Sequence, residues 1–130
     1  MSVVVLGAAP DTENLGLAAL LTSAIAAVKD IMDPDEIVVL DYGEGRRRQT
    51  LQVGDVAVEV TCIGAPNSLR VHNRDSLYRV AAAGALGRSD NDVATALRGA
   101  EMAFDISGGD SFSDIYGWKR FVQILLHKTI

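Results

Sequence analysis

Carboxylates, hydroxyls and glycines are concentrated in one stretch near the end of the chain, residues 103–117. An apolar run ends at Ser107, and Gly108 and Gly109 follow it. Five side chains that could contact a polar ligand come next, namely Asp110, Ser111, Ser113, Asp114 and Tyr116. Aspartates can orient or deprotonate a hydroxyl group, and glycines let a ligand approach backbone amides closely. The stretch predicts a strand, a ligand-binding loop and a helix beginning near Trp118.

Each of these residues also has a purely structural interpretation. Gly108 and Gly109 could simply form a tight turn between a strand and a helix. Asp114 could cap the helix that follows, and Asp110 could accept hydrogen bonds from the backbone of the turn. Both interpretations are compatible with the sequence.

A second polar segment follows the first apolar run, Ser2 to Ala8. This valine-rich run is typical of a central parallel strand that is covered on both faces. Apolar residues then recur at helical spacing, at Leu17, Leu20, Leu21, Ala24, Ile25 and Val28. They predict a helix whose N-cap is Asp11, Thr12 or Asn14. Asp33-Pro34-Asp35 predicts its end, because proline cannot continue a helix.

The turn Asn14-Leu15-Gly16 lies at the start of this predicted helix, where the macrodipole favours an anionic ligand group. Asn14 and Gly16 are therefore candidate ligand-binding residues, and an ordinary capping turn is the alternative. The loop contains neither the G-x-G-x-x-G of a dinucleotide site nor a Walker sequence.

Three consecutive arginines, Arg46, Arg47 and Arg48, follow a predicted second strand, Glu36 to Asp41. We expect them in a glycine-punctuated loop, residues 42–49. In an acidic protein such a loop could hold phosphate or carboxylate, although solvated charge is the more usual meaning of an arginine run.

The remaining pattern completes an α/β arrangement. Alternating residues on both sides of Gly54-Asp55 predict a hairpin. We expect a helix from about Leu69 to Leu86, a break at residues 84–90, and a short helix over 91–98 capped by Ser89 or Asp90 and closed by Gly99. The predicted fold is one α/β domain over residues 1–130, with a mainly parallel sheet and an added hairpin.

Two motifs together resemble the N-terminal half of the polysaccharide pyruvyl transferase family. One is Val-Leu-Gly-Ala-Ala-Pro-Asp-Thr-Glu-Asn-Leu-Gly, residues 5–16, and the other is Gly-Gly-Asp-Ser-Phe-Ser-Asp-Ile-Tyr-Gly, residues 108–117. Members of the family are similar in carrying Asn-x-Gly after the first strand and a Gly-Gly-rich segment that ends in Asp. The resemblance spans nearly the whole chain.

The resemblance implies a Rossmann-like, three-layer domain, the first half of a fold similar to that of B-type (GT-B) glycosyltransferases. It implies transfer of a pyruvyl group from phosphoenolpyruvate to a sugar or glycan-precursor acceptor in polysaccharide biosynthesis, without a separate cofactor or metal. Asp114 or Asp110 would act on the acceptor hydroxyl, with Ser111 and Ser113 binding sugar. The donor-binding histidine and arginine are expected in a second domain, which this chain lacks.

An apolar helical pattern continues to Ile130 without a capping residue. This pattern suggests an N-terminal fragment or a split gene product, so that a C-terminal domain is missing or the chain acts as a homo-oligomer. The second hypothesis is a non-catalytic Rossmann-like module that binds a ligand or a partner. A third, a flavodoxin-like nucleotide binder, would require tight flavin or nucleotide binding by this domain alone.

Charge and composition exclude some classes of function. A formal charge of −5 argues against general nucleic-acid binding. The single cysteine, Cys62, allows no intrachain disulfide and fits a reducing, cytoplasmic setting. We identify no apolar run of membrane-spanning length. His72 lies beside Asn73, Arg74 and Asp75, without a second histidine, a cysteine or a positioned carboxylate that would favour a metal site.

Overall fold

The computed structural model describes residues 1–64 and 91–106. These residues form β1 (Ser2–Leu6), α1 (Leu15–Met32), β2 (Glu36–Asp41), β3 (Arg46–Val53), β4 (Val56–Gly64), α2 (Asp92–Gly99) and β5 (Met102–Asp105). The sheet has the order β3-β4-β2-β1-β5, and only β3 runs antiparallel to its neighbour. The predicted α/β fold with a mainly parallel sheet and one hairpin is confirmed. The helices predicted over 69–86 and from Trp118 lie outside the described residues.

Strand β2 lies at the centre of the sheet, and β1 lies next to it. They pair in parallel from Ser2 opposite Glu36 to Leu6 opposite Leu40. Their valines, isoleucines and leucines are buried on both faces, as the continuous apolar runs predict. Strand β1 ends at Gly7, which adopts a φ of 106° that other residues rarely reach.

One face of the sheet, which we call the α1 face, is covered by α1. Leu21, Ile25 and Val28 of the helix pack on this face. The strands contribute alternate residues to the same core, among them Val3, Val5, Ile37, Val39, Val58, Val60 and Cys62. The 3.6-residue spacing on the helix and the two-residue spacing on the strands thus meet in one apolar layer.

Local capping groups determine where α1 begins and ends. Of the three predicted N-cap residues, Asn14 is the cap, and its side chain accepts hydrogen bonds from the amides of Gly16 and Leu17. At the other end Asp33 takes a left-handed conformation with φ 40°, and its amide donates to the carbonyl of Lys29. A proline follows immediately, so the chain leaves the helix as predicted.

Helix α1 is more apolar than the sequence analysis recognised. It has 18 residues and a mean hydropathy of 1.7, so by length and composition alone it could cross a membrane. Core helices of soluble proteins can share these properties. Three residues of α1 are buried against the sheet, and Leu17 and Met32 are partly buried beside them.

The opposite face of the sheet, the α2 face, carries a smaller core. Val93 and Ala94 of α2 pack with Val4, Val38 and Ile63 of the strands. The predicted cap of this helix was wrong: the cap is Asn91, not Ser89 or Asp90. The Asn91 carboxamide oxygen accepts hydrogen bonds from the amides of Val93 at 3.0 Å and Ala94 at 3.1 Å. The helix extends through Gly99, one residue beyond the predicted range.

The hairpin is longer than its sequence pattern indicated. Strand β3 begins at Arg46, so the three arginines are in a strand and the expectation of a loop over residues 42–49 was wrong beyond Gly45. The backbone ladder with β4 extends to Arg46 opposite Ile63. Charged residues are tolerated there because one face of β3 is exposed to solvent.

Candidate ligand-binding edge of the sheet

Four parallel strands end at the same edge of the sheet, which we call the carboxyl edge. Leu6 of β1 lies beside Leu40 of β2 and Asp105 of β5, and Gly64 of β4 lies beside Asp41. In open α/β sheets, ligands bind outside the carboxyl ends of the strands. The carboxyl edge is therefore the candidate functional site of this chain.

Strand order singles out the position between β1 and β5 on this edge. The chain passes from β1 through α1 to β2 on one side, whereas β5 pairs with the other side of β1. Such a change of direction leaves a crevice between the loops that follow the two strands. The amide of Ile106 donates to the carbonyl of Leu6 at 2.9 Å, so both loops start from neighbouring points.

Asn14 ends the loop that follows β1, and Gly16 lies in the first turn of α1. The Asn14 carboxamide oxygen accepts from the amide of Gly16 at 3.0 Å and from that of Leu17 at 3.2 Å. A Cβ atom on Gly16 would come within 3.2 Å of the same oxygen, a tight contact. The capping role is therefore seen directly, and ligand binding by these two residues stays a prediction.

Asp41 and Arg47 form an ion pair at the end of β2 on the α1 face. The Asp41 side chain is only 1% exposed, whereas that of Arg47 is 31% exposed. The other carboxylate oxygen of Asp41 accepts from the amide of Gly43 at 2.9 Å. Arg47 also donates to the carbonyl of Glu44 at 3.0 Å. The pair therefore holds the 42–45 loop against the sheet.

Two glycines let this loop pack closely. A Cβ atom on Gly43 would collide with the guanidinium of Arg47, and one on Gly64 would collide with the backbone carbonyl of Gly43. The amide of Gly64 donates to the carbonyl of Gly45 at 2.9 Å. The end of β4 and the loop after β2 thus form one compact unit.

Sequence reasoning did not identify Asp41 as a buried ionic residue. The available signal was a carboxylate at the end of an otherwise apolar strand, since charged residues are rarely buried without a partner. The partner could not be read from the sequence, because Arg46, Arg47 and Arg48 are adjacent and only the strand register selects Arg47.

Cys62 lies on the same face, where its thiol donates to the Gln49 side-chain oxygen at 3.4 Å. Burial raises the pKa of this thiol to about 11, with a further contribution from the carboxylate of Asp41 and an opposing one from Arg47. The thiol therefore stays protonated at neutral pH. It is a core residue, as the apolar run around it predicted.

Arg46 and Arg48 lie on the other face of the sheet from Arg47. Arg46 donates to the Glu36 carboxylate at 2.7 Å, and the same oxygen accepts from the hydroxyl of Thr61 at 2.9 Å. Arg48 lies 3.4 Å from the Glu59 carboxylate. Successive strand residues point to opposite faces, so the three arginines do not act as one cluster.

Arg46 and Glu36 also line a groove of about 200 Å³ between α2 and the sheet. Ser2, Asp92, Thr95 and Gly99 line it as well. The groove lies along the α2 face and does not include the 42–45 loop or Asn14. Of the two arginines proposed to bind substrate, only Arg47 contacts the carboxyl edge.

The other predicted site residues lie outside the described part of the chain. They are Gly108, Gly109, Asp110, Ser111, Ser113, Asp114 and Tyr116, together with His72. Within residues 1–64 and 91–106, no group of three or more histidine, cysteine, aspartate or glutamate residues is arranged to hold a metal ion.

Comparison of the chain with models of protein families, with curated proteins and with solved structures found no match.

Proposed function

We propose that this chain is the N-terminal, acceptor-side part of a polysaccharide pyruvyl transferase-like enzyme, with a Rossmann-like domain and a GT-B-like overall fold. This proposal is supported by the pairing of β1 with β5 in the sheet. The first segment that resembles the family begins on β1, and the second begins at Gly108, three residues after the end of β5 in the sequence. The two strands end side by side at Leu6 and Asp105. Two motifs that contribute to one site must start from neighbouring strand ends.

The proposed reaction joins phosphoenolpyruvate to two hydroxyl groups of a sugar. Protonation of the terminal carbon of the enol converts it to a methyl group and leaves a cationic carbon. Two hydroxyl oxygens bond to that carbon, and the bond between the carbon and the phosphate oxygen breaks. The proton of the first hydroxyl passes to the base and replaces the one that the general acid gave to carbon, and the proton of the second hydroxyl leaves with phosphate. The product is a pyruvate ketal and inorganic phosphate. A general acid, a base and cations for the donor are required.

In this proposal the chain supplies the acceptor side of the cleft. Asp114, or alternatively Asp110, orients and deprotonates an acceptor hydroxyl. Ser111, Ser113 and Tyr116 bind the sugar, and Gly108 and Gly109 offer backbone amides. The start of α1, at Asn14 and Gly16, contributes a positive helix end, while a second domain supplies the histidine and arginine that hold the donor. The enzyme is cytoplasmic, where phosphoenolpyruvate and sugar precursors are available.

One observation favours the alternative, a non-catalytic binding module. All three guanidinium groups of the arginine run are paired with carboxylates, namely those of Glu36, Asp41 and Glu59. A phosphate or carboxylate ligand would have to displace or join these pairs. If the chain is part of a transferase, Arg46 and Arg47 therefore contribute less to binding of the donor than the cations of the second domain.

The proposal is tested by measuring the release of phosphate from phosphoenolpyruvate by the full-length protein. The assay uses sugars and nucleotide sugars as acceptors and detects the pyruvate ketal by mass spectrometry. We expect acceptor-dependent phosphate release together with ketal formation. If the protein binds a sugar but shows neither phosphate release nor ketal formation with any acceptor, the binding module is favoured.

The aspartate assignment is tested by Asp114→Asn in the same full-length protein. We expect kcat/KM to fall by about 10²–10⁴, as for loss of a general base, with an unchanged melting temperature. Asp55→Asn, in the exposed turn of the hairpin, is the matched control and should change neither quantity. Unchanged turnover in Asp114→Asn would remove this residue from the mechanism, and Asp110→Asn would be examined in the same way.

A further inference from the structure

The ion pair of Asp41 and Arg47 has no part in the proposed reaction, although it lies at the carboxyl edge. The Asp41 side chain is 1% exposed, and a buried ion pair gains little net stability because desolvation offsets the attraction of the charges. Both members also bind the backbone that follows β2. Asp41 accepts from the amide of Gly43 at 2.9 Å, and Arg47 donates to the carbonyl of Glu44 at 3.0 Å. The pair therefore fixes the conformation of the 42–45 loop.

This fixed loop presents one large apolar side chain, that of Tyr42. Tyr42 is the first residue after β2, and it is 48% exposed. The rest of the loop is Gly43, Glu44 and Gly45. Tyrosine offers a broad contact area and has few rotatable bonds, so a ligand that packs on it immobilises little side-chain freedom. Tyr42 is therefore suited to contact a ligand at this edge.

Small side chains follow β1, the strand that lies between β2 and β5. The loop there begins Gly7-Ala8-Ala9, and both alanines are buried. Neighbouring strands are about 4.8 Å apart, so the ends of β2 and β5 are separated by about 10 Å. This distance matches the length of two linked sugar rings. A ligand that spans it would contact Tyr42 at one end and the crevice beside β5 at the other.

The charge of the carboxyl edge favours a neutral ligand. The loops after β1 and β2 carry the exposed acidic residues Asp11, Glu13 and Glu44, and the exposed Asp105 ends β5. Within residues 1–64 and 91–106, the cation at this edge is Arg47, which is paired with Asp41. Acidic surroundings repel phosphate groups, whereas carboxylates accept hydrogen bonds from hydroxyl groups. These surroundings therefore suit a hydroxyl-rich sugar better than a nucleotide.

We propose that Tyr42 stacks on a ring of the acceptor sugar, beside the ring that receives the pyruvyl group. One face of a sugar ring carries C–H groups that pack on an aromatic ring, while its hydroxyl groups remain available to carboxylates. Asp41 and Arg47 are positioning residues that hold the tyrosine through the loop backbone. Because this site rests on the proposed function, its ligand is the acceptor of that reaction, which therefore contains at least two linked sugars.

Sugar binding by the full-length protein without phosphoenolpyruvate provides the test. The probes are glucose, galactose, mannose and N-acetylglucosamine and disaccharides built from them, titrated by calorimetry or followed by NMR. We expect at least one disaccharide to bind about 10-fold more tightly than its component monosaccharides. Tyr42→Ala should abolish this difference and leave the affinity for monosaccharides unchanged. Tyr42→Phe, which keeps the ring, should retain the difference.

The matched control for these variants is Val56→Ala. Val56 is 60% exposed and lies at the start of β4, which runs parallel to β2, so it is far from the carboxyl edge. This variant should change neither affinity. The melting temperature of Tyr42→Ala should change little, because about half of the side chain is already in water.

The positioning role is tested at Gly43. A Cβ atom on Gly43 would collide with the guanidinium of Arg47, so Gly43→Ala should displace the loop and remove the preference for disaccharides while Tyr42 is still present. Gly99→Ala is the matched control, because a Cβ atom there meets no atom within 4 Å. The ratio of disaccharide to monosaccharide affinity is the readout, since a general loss of stability lowers both affinities together.

Three results would overturn the assignment of Tyr42. The first is equal affinity of the wild type for every disaccharide and its component monosaccharides. The second is a Tyr42→Phe variant that loses as much affinity as Tyr42→Ala, because the hydroxyl group and not the ring would then be responsible. The third is a Tyr42→Ala variant that loses affinity for UMP but not for disaccharides, which would assign the ring to a nucleobase.

The transferase activity and the Tyr42 site can fail separately. Disaccharide binding that depends on Tyr42, without ketal formation, would reject the transferase and keep the site. Ketal formation with an unchanged KM for disaccharide acceptors in Tyr42→Ala would reject the site and keep the transferase.

Discussion

The two faces of the sheet hold the same kind of ion pair in different environments. On the α1 face, Arg47 pairs with the buried Asp41, and the pair also binds the backbone of the 42–45 loop. On the α2 face, Arg46 pairs with the partly exposed carboxylate of Glu36, and Arg48 pairs with the exposed carboxylate of Glu59. Three adjacent and identical residues thus have two different structural roles.

The comparison shows that burial of the acidic partner, and not the arginine, determines the role of each pair. A buried carboxylate that loses its partners leaves polar groups without hydrogen bonds, which costs several kcal/mol. An exposed pair exchanges its partner for water at little cost. The α1 face should therefore be the sensitive one, and three measurements test this difference.

The largest effect is expected from Asp41→Ala. This substitution removes the carboxylate that binds Arg47 and the amide of Gly43, and the free energy of unfolding should fall by about 3 kcal/mol. Glu59→Ala, which removes the exposed partner of Arg48 on the α2 face, should cost about 1 kcal/mol or less. Urea denaturation of both variants measures the two values. Equal losses would mean that the two faces do not differ.

A smaller effect is expected from Cys62 at high pH. The pKa of its thiol rises from an ordinary value of 9.0 to about 11 on folding, mainly because of burial. The raised pKa stabilises the fold below pH 9, and this contribution is lost as the pH rises toward 11, since the unfolded chain loses its proton first. The free energy of unfolding should therefore fall between pH 9 and pH 11 because of Cys62 on the α1 face.

Cys62→Ala provides the measurement. The stability difference between the wild type and this variant should shrink by about 2 kcal/mol between pH 9 and pH 11. Other groups titrate in the same range, but they are common to both proteins and cancel in the difference. Parallel stability curves over this range would contradict the burial of the thiol.

The smallest effect is expected from Glu59→Gln on the α2 face. The carboxylate lies 3.4 Å from Arg48, and both side chains are largely exposed. The free energy of unfolding should change by about 0.5 kcal/mol or less, and the change should vanish in about 1 M salt, where the Debye length is about 3 Å. A loss of more than about 1 kcal/mol would show that the exposed pairs also hold the hairpin.

Features that depend on neighbouring residues were predictable from the sequence. The range of β2 matches its prediction, β1 is shorter by two residues, and the hairpin turns at Gly54-Asp55. Asn14 caps α1 and Asp33-Pro34 ends it. A cap, a proline or a glycine turn acts within a few residues, so the local pattern is enough to identify it.

Other features required the assembled sheet. The arginines join β3 because β4 provides backbone partners as far as Ile63, and strand pairing then sends Arg47 to one face and its neighbours to the other. The sequence pointed to Asn14 and Arg47 individually, but not to Asp41. The closeness of Leu6 and Asp105, on which the proposed site depends, is absent from any local pattern.

The sequence by itself thus determined the types of most elements in the described part of the chain and several of their ends. Only the tertiary structure decided the strand order, the pairing of Asp41 with Arg47, and the exposure of Leu15 and Ile31 at the two ends of α1. The physical reason is the range of the interactions. Propensity, capping and turn geometry act over a few residues, whereas strand order and burial depend on contacts between residues that are far apart in the chain.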